Sequence, residues 1–157
     1  MIKSLVTAGF LLVSVACLSQ QEMVLRSRTD SIEYIKSRMR EDGRVTTYAV
    51  GVHGNISVQY LRFLYLLQTL NLNESLELAK DSSACLRVYG YAALDYRHYK
   101  EIKKIKSLLM QDTSLVPMLL AERGGKATPK YLIRTIHFYN RKSIQLELAS
   151  LSTIPIF

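Results

Sequence analysis

The sequence predicts an all-α protein, a short solenoid of stacked antiparallel helical hairpins. Most apolar residues after position 20 recur at helical spacing, and no segment alternates long enough to indicate a sheet. Two stretches also share one layout, an apolar helix, a polar turn and another apolar helix, with Asp81 and Asp112 at turns 31 residues apart. Because such hairpins cannot bury their apolar faces singly, we expect them to stack.

The first nineteen residues have the pattern of a secretory signal peptide. Lys3 supplies the basic start, and Leu5–Val15 is apolar but too short to cross a bilayer core of about 30 Å as a permanent helix. Small residues suited to cleavage follow: Ser14, Ala16 and Ser19. We therefore expect residues 1–19 to be removed, which leaves one domain over residues 20–157. The alternative is a buried N-terminal helix of a cytosolic domain.

Two cleavage sites are compatible with this segment. Cleavage after Ala16 would make Cys17 the lipidated first residue of a lipoprotein, although Ser14 stands where an aliphatic residue is usual. Ordinary cleavage after Ser19 fits the small-residue rule about as well. Both sites predict an exported protein, and only the first predicts a membrane anchor at Cys17.

Cysteine content and charge limit the class of protein further. Only Cys85 is sure to remain in the folded domain, so no internal disulfide is expected, and in an apolar helix it is interpreted as a small hydrophobic residue. The net charge is +8, and removal of residues 1–19 takes away one lysine and leaves +7. This excess favours anionic partners in general.

A first helix is expected in "SIEYIKSRMRE". Asp30 or Ser31 can cap its start, and Gly43 ends it. Its apolar residues fall on one side: Ile32, Ile35 and Met39. The following "RVTTYAVGVHGN" is β-branched and contains two glycines, so it is interpreted as a connector that can hold a short extended piece.

Two helices follow the connector. The first, "ISVQYLRFLYLLQTL", opens at Asn55 or Ser57 and is apolar nearly all round, which is typical of a central helix packed on several sides. In the second, "NLNESLELAK", Asn71 and Glu74 stand at the spacing of a capping box. Both helices are expected to contribute to the core.

The next helices belong to the two similar stretches. After the polar turn at Asp81–Ser83, the helix "ACLRVYGYAAL" presents an apolar face. A basic helix then runs from Tyr99 to Met110. Its isoleucines face inward and its lysines outward, so it is expected to pack against the preceding helix.

The remaining elements are expected to be helical as well. The polar turn at Asp112–Ser114 leads into "LVPMLLAER", interpreted as a helix that Gly124–Gly125 stops. Pro129 can occupy the first turn of a helix in "PKYLIRTIHFYN". The fold of the tail, residues 141–157, stays open.

The helix after Asp81 resembles the second helix of the HEAT-repeat family, in its short variant. That helix typically has, after an acidic turn, an aliphatic residue, an arginine, two spaced small residues and a leucine. The matching residues are Asp81, Leu86, Arg87, Gly90, Ala93 and Leu94. The second stretch departs from the pattern, since Pro117 stands in place of the arginine. The resemblance covers about residues 56–123 and implies a HEAT-like α-solenoid, similar to small exported bacterial proteins of unassigned function.

The resemblance implies a structural role for Arg87. In HEAT-like hairpins such an arginine reaches the turn and pairs with acidic side chains or carbonyl groups. Arg87 can keep its stem among apolar residues and its guanidinium in the polar turn near Asp81. An unpaired charge there would be costly, so Asp81 and Arg87 are expected to form a structural turn.

No residue set indicates catalysis, a cofactor or a metal. The histidines, His53, His98 and His137, lack the spacing of metal ligands. The loop "GVHGN" lacks the glycine spacing of nucleotide motifs, and no nucleophile elbow occurs. We therefore expect a non-enzymatic protein, and the alternative is an enzyme whose residues converge only in three dimensions.

A basic face beside tyrosines is the most suggestive functional feature. Lys100, Lys103 and Lys104 are expected to share one helix face in "YRHYKEIKKIK". Further basic residues follow: Arg123, Lys126, Lys130, Arg134, Arg141 and Lys142. Such a face can attract an anionic partner, and its simpler interpretation is a solvated surface.

Taken together, these features predict an exported interaction or scaffold module of the cell envelope, periplasmic or secreted. Its partner is expected to be a protein or an anionic envelope component. Nucleic acid is less favoured, because an exported protein meets lipid headgroups and envelope polymers instead. If the N-terminus is not a signal peptide, the alternative is a cytosolic nucleic-acid-binding helical protein.

Overall fold

The computed structural model describes residues 27–135 and 141–151. The chain forms two compact units, Met1–Ser31 and Ile32–Phe157. Within the described residues there are seven helices and four strands, and the strands form one mixed sheet. The predicted all-α solenoid of stacked hairpins is therefore wrong.

Helix α1, Arg28–Asp42, begins earlier than predicted. The backbone N–H of Asp30 donates to the Ser27 hydroxyl at 3.1 Å, and the N–H of Ser27 donates to the Asp30 carboxylate at 3.2 Å. Ser27 therefore caps the helix, whereas Asp30 or Ser31 was the expected cap. Gly43 ends the helix as predicted, in left-handed backbone (φ +65°). The buried residues of the helix are the expected ones: Ile32, Ile35 and Met39.

The segment interpreted as a connector forms strand β1 (Val45–Val50) and begins strand β2 (Asn55–Ile56), whose Ile56 was predicted to start the next helix. They pair antiparallel. The β-branched residues of β1 favour extended backbone, but the neighbouring residues Val45 and Thr46 are both buried. Because both sides of this strand end are covered, the sequence lacks the apolar–polar alternation that would have indicated a strand.

The two helices after β2 are confirmed. Helix α2, Val58–Thr69, is capped by the Ser57 hydroxyl and buried on several sides. Helix α3, Leu72–Leu78, begins with the expected capping box of Asn71 and Glu74. The largest buried side chains of α2 form its contribution to the core: Tyr60, Phe63, Leu64, Leu66 and Leu67.

Helix α4, Ala84–Tyr96, is the most deeply buried element of the described chain. Gly90 allows this close packing, because a Cβ atom there would lie 2.3 Å from the backbone nitrogen of Ala79. The Tyr89 ring stacks on Phe63 of α2 at a centroid distance of 5.0 Å. The first half of the predicted repeat is therefore a helical hairpin of α3 and α4.

The second half of the predicted repeat is not a helical hairpin. Helix α5, Ile102–Gln111, is followed by strands β3 (Val116–Ala121) and β4 (Arg123–Ala127) where a helix was predicted. The strands are joined by a tight turn, and β3 also pairs with β1 from much earlier in the chain. Helical periodicity is a local signal, so it does not reveal this distant partner.

Two helices complete the described chain. Helix α6, Pro129–Thr135, begins at Pro129 as predicted. Helix α7, Arg141–Leu151, lies in the tail whose fold the sequence left open, and its Ile144 is fully buried. The tyrosine hydroxyl of Tyr60 donates to Glu147 of α7 at 2.7 Å and so connects α7 to α2.

The sheet has the strand order β2-β1-β3-β4. The central pair, β1 and β3, is parallel, and each outer strand pairs antiparallel with its neighbour. The larger core joins the sheet to α1, α2 and α4. A second cluster joins α4, α5 and α6, with these buried residues: Ala79, Tyr91, Leu94, Ile105, Leu109 and Ile133.

Candidate binding surface

Arg87 lies in the turn region where the sequence placed it. Its Nη1 donates to the carbonyl oxygens of Asp81 and Ser82 at 2.9 and 2.7 Å. Its Nη2 donates to the Asp112 carboxylate at 2.6 Å and to the Ser114 hydroxyl at 3.1 Å. Arg87 therefore joins the two polar turns that the sequence comparison aligned, at positions 81 and 112.

The carboxylate partner of Arg87 is Asp112, which sequence reasoning missed. Burial by itself raises the pKa of Asp112, but hydrogen bonds from Ser114 and Arg87 outweigh it and hold the pKa below its ordinary value. The available signal was the alignment of Asp112 with Asp81 as equivalent turn residues. Equivalent turns of neighbouring hairpins lie close together, so an arginine at one turn can reach the aspartate of the other.

The carboxylate of Asp81 binds a different arginine. Arg40 of α1 donates to both of its oxygens, from Nη2 at 2.6 Å and from Nε at 3.2 Å. Burial raises the pKa of Asp81, and the hydrogen bonds from Arg40 and the Ser83 N–H outweigh it, so the net pKa is lowered. The Asp81 side chain thus stabilises the turn, and the Asp81 backbone carbonyl oxygen accepts a hydrogen bond from Arg87.

Arg97 is a further structural arginine that the sequence did not single out. It follows α4 and donates to the carbonyl oxygens of Leu67 and Leu70, the latter at 2.7 Å, and to the Ser75 hydroxyl at 2.9 Å. Burial lowers the pKa of Arg97. The guanidinium caps the C-terminal end of α2, where carbonyl groups otherwise lack partners.

Lys100, Lys103 and Lys104 are all exposed, as the sequence predicted for a basic face. Lys100 precedes the first residue of α5, so the three do not share one helix. Lys104 donates to the Glu101 carboxylate at 2.8 Å, and this contact raises the pKa of Lys104 and lowers that of Glu101. One of the three charges is thus already paired.

A second basic region lies on β4 and α6. It carries four exposed cationic side chains, which we call the hairpin surface: Arg123, Lys126, Lys130 and Arg134. Among the described residues, none of the four has an ion-pair partner. Glu122 is the one acidic residue between positions 115 and 135, so the region has a strong local excess of positive charge.

A groove of about 380 Å³ runs between the β3–β4 hairpin and α6. Its lining combines apolar, aromatic and charged side chains: Met118, Leu120, Glu122, Arg123, Tyr131 and Thr135. A second depression, of about 310 Å³, shares Met118 and Tyr131 with it and reaches Lys126. The exposed ring of Tyr131 therefore links the two depressions to the basic residues around them.

The described residues contain no group of three histidine, cysteine or acidic side chains that could hold a metal. His53 and His98 are exposed, and His137 lies outside the described residues, as do Cys17 and residues 1–19. Cys85 is a free, buried thiol that donates to the Arg44 carbonyl oxygen at 3.0 Å. Burial raises its pKa to about 12, so it is protonated and a poor nucleophile at neutral pH.

No helix in the described ranges has the length and apolar character needed to cross a membrane. Comparison with known proteins gives no significant match to a family model, a curated protein or a solved structure. The HEAT resemblance of the helices around Arg87 therefore stays a prediction. The function has to be inferred from the chemistry of the surface itself.

Proposed function

We propose that the protein is a non-enzymatic interaction module that binds an anionic partner through the hairpin surface. The observation that carries the proposal is the unpaired state of its four cations within the described chain. Exposed and unpaired cations contribute little to folding stability. They attract an anionic partner over a distance of about one Debye length, roughly 8 Å at physiological salt.

The groove gives this surface a means of recognition beyond charge. Met118 is half-buried and Tyr131 is 48% exposed, so both can contact a ligand in the groove. Tyrosine and methionine supply adaptable contact area at binding surfaces. Arg123 lies in the same lining and can hold an anionic group beside these apolar contacts.

The lysines around α5 are the basic face that the sequence singled out, and they lie away from the groove. Lys100 and Lys103 have no ion-pair partner among the described residues. Lys104 forms an ion pair with Glu101, and none of the three lysines lines the groove. Lys100, Lys103 and Lys104 therefore serve as the matched control for the hairpin surface, since they are also basic and exposed.

The experiment measures binding of the purified protein to vesicles containing phosphatidylglycerol, to acidic peptides and to single-stranded DNA. Replacing Arg123, Lys126, Lys130 and Arg134 together by glutamine is expected to weaken binding to an anionic probe at least about tenfold, and added salt should weaken the wild type steeply. The control replaces Lys100, Lys103 and Lys104 by glutamine and is expected to bind like the wild type. Binding that survives the hairpin substitutions and high salt would contradict the proposal.

Export is the second part of the proposal. It is supported by the basic start, apolar run and small residues of positions 1–19. Mass spectrometry of the protein recovered from its native cell is expected to find a first residue of Gln20 or a lipidated Cys17. Intact Met1 on the native protein would contradict export and would favour the cytosolic alternative, in which DNA is the probe that binds.

A further inference from the structure

Strand β4 forms one edge of the sheet within the described chain. The strand order β2-β1-β3-β4 leaves β4 paired with β3 alone. The opposite edge, β2, has only two residues, whereas β4 has five. An open edge of this length presents backbone N–H and C=O groups to which an extended segment can pair.

The register shows which groups of β4 face the open edge. The backbone N–H and C=O of Ala121 in β3 point toward β1, where they contact Thr47 and Gly51. Pro117, four residues earlier, faces the same way, so its pair with Lys126 of β4 is not hydrogen-bonded. Antiparallel pairs alternate, so the backbone groups of Lys126 and Gly124 point away from β3. No hydrogen bond connects these outward groups to any described residue.

Side chains around this edge define the segment that it can accept. Gly124 and Gly125 add no side chains to β4, and the ends of the Leu119 and Met118 side chains lie beside them, at 3.7 and 3.8 Å from the position of an added Cβ atom. Side chains of a further strand can therefore reach over the glycines to these apolar residues. Side chains alternate along a strand, so Arg123 lies on the same face as Gly125 and Lys126 on the same face as Gly124. Carboxylates on one face of an incoming segment therefore meet one of these two cations.

Charge also distinguishes between the two simplest occupants. A second copy of β4 would add its own two cations, Arg123 and Lys126, to the same edge, and this excess of positive charge disfavours edge-to-edge dimers. An acidic strand brings its carboxylates to Arg123 or to Lys126, according to which face of the strand carries them. The open edge is therefore protected against self-association and still suited to an acidic partner.

We propose that β4 accepts an extended acidic peptide segment of another protein as a fifth, antiparallel or parallel strand of the sheet. This inference rests on the proposed function, because the same hairpin surface supplies the charge. It goes further in naming the partner as a peptide held by main-chain hydrogen bonds, with side chains that alternate between apolar and acidic.

The test uses a peptide of alternating valine and glutamate, long enough to lie along the five residues of β4. The wild-type protein is expected to bind it, and N-methylation of alternate residues should weaken binding at least about tenfold, because it removes hydrogen bonds without changing charge. Peptide binding should also slow amide hydrogen exchange at Gly124 and Lys126. Equal binding of the methylated peptide, or unchanged exchange, would overturn strand addition.

A matched protein variant separates this inference from the proposed function. Gly124→Pro removes an outward N–H of β4 and keeps every charge, so it is expected to lose peptide binding and to bind phosphatidylglycerol vesicles like the wild type. If Gly124→Pro binds the peptide normally, strand addition is wrong while anion binding stands. If the wild type binds no anionic probe at all, the proposed function itself fails. Should Gly124→Pro not fold, the methylated peptide and the exchange measurement still decide.

Discussion

Six arginines lie between residues 32 and 97, and each donates to an oxygen of the described chain. Four basic residues form the hairpin surface, and none of them has an ion-pair partner among the described residues. The cations of the two regions therefore have opposite surroundings in the fold. Carboxylates and carbonyl oxygens among the helices account for the difference, and Asp42, Asp81 and Asp112 each form an ion pair with an arginine there.

The comparison teaches that the basic residues of this chain divide into two kinds. In the helical region, a guanidinium held by carboxylates and carbonyl oxygens fixes turns and helix ends, as Arg87 and Arg97 do. On the hairpin surface, a cation without such contacts has no structural task within the described chain. The first kind should affect stability when removed, and the second kind should affect binding.

The largest expected effect is at the closest packing of the helical region. Gly90→Ala places a Cβ atom 2.3 Å from the backbone nitrogen of Ala79. Alanine favours a helix by about 1 kcal/mol over glycine, but the clash with backbone should outweigh this and lower the free energy of unfolding by about 3 kcal/mol. Urea denaturation measures the change. The control, Gly124→Ala on β4, meets only Leu119 at 3.7 Å and should leave the free energy nearly unchanged.

The next effect contrasts one arginine from each region. Arg87→Ala leaves the Asp112 carboxylate and two carbonyl oxygens without their donor, so the free energy of unfolding should fall by about 1–3 kcal/mol. Binding to phosphatidylglycerol vesicles should not change. Arg134→Ala on the hairpin surface is the matched variant and should show the reverse pattern. Loss of binding with an unchanged melting midpoint in Arg87→Ala would place that residue in the function instead.

Acid should destabilise the helical region through the same contacts. The pKa values of Asp81 and Asp112 are lowered in the folded state, so their contribution is present above the unfolded value of about 3.9 and is lost as pH falls through the folded values. Glu147 acts in the opposite direction, since burial raises its pKa. Urea denaturation at decreasing pH is expected to show a smaller loss for Asp112→Asn than for the wild type. An identical pH profile would contradict the role of Asp112.

The smallest effect concerns the turn of the hairpin. Ala121 has φ +52°, a left-handed conformation that costs a non-glycine residue about 1–2 kcal/mol. Its N–H donates to the Thr47 hydroxyl, a contact that glycine keeps. Ala121→Gly should therefore raise the free energy of unfolding by about 0.5 kcal/mol after the added entropy of unfolded glycine is counted. Anion binding by Ala121→Gly should not change. The control, Ala49→Gly in strand β1, should lower the free energy of unfolding.

Sequence reasoning succeeded where the determining interactions are local. The capping box of Asn71 and Glu74 and the end of α1 at Gly43 depend on residues within one turn of each other. The apolar face of α1 follows the same rule. Such signals can be read without knowledge of the rest of the fold.

The sheet could not be predicted in this way, because its central pair joins β1 to β3 across about half of the chain. Helical spacing in "LVPMLLAER" was coincidental, and Pro117 was the residue that departed from the repeat. The hairpin surface was only partly foreseen. Arg123, Lys126, Lys130 and Arg134 were recognised as basic, but only the fold places them around a groove.

The most direct test of the division between structural and functional cations compares the stabilities of two variants. Replacing all four residues of the hairpin surface by glutamine is expected to change the free energy of unfolding by about 0.5 kcal/mol or less per site, as is usual for exposed residues. Replacing Arg87 and Arg97 together by glutamine is expected to lower the free energy of unfolding by several times the loss per site on the hairpin surface, since partly buried oxygens lose charged donors. Equal losses in the two variants, measured by urea denaturation under the same conditions, would contradict the division.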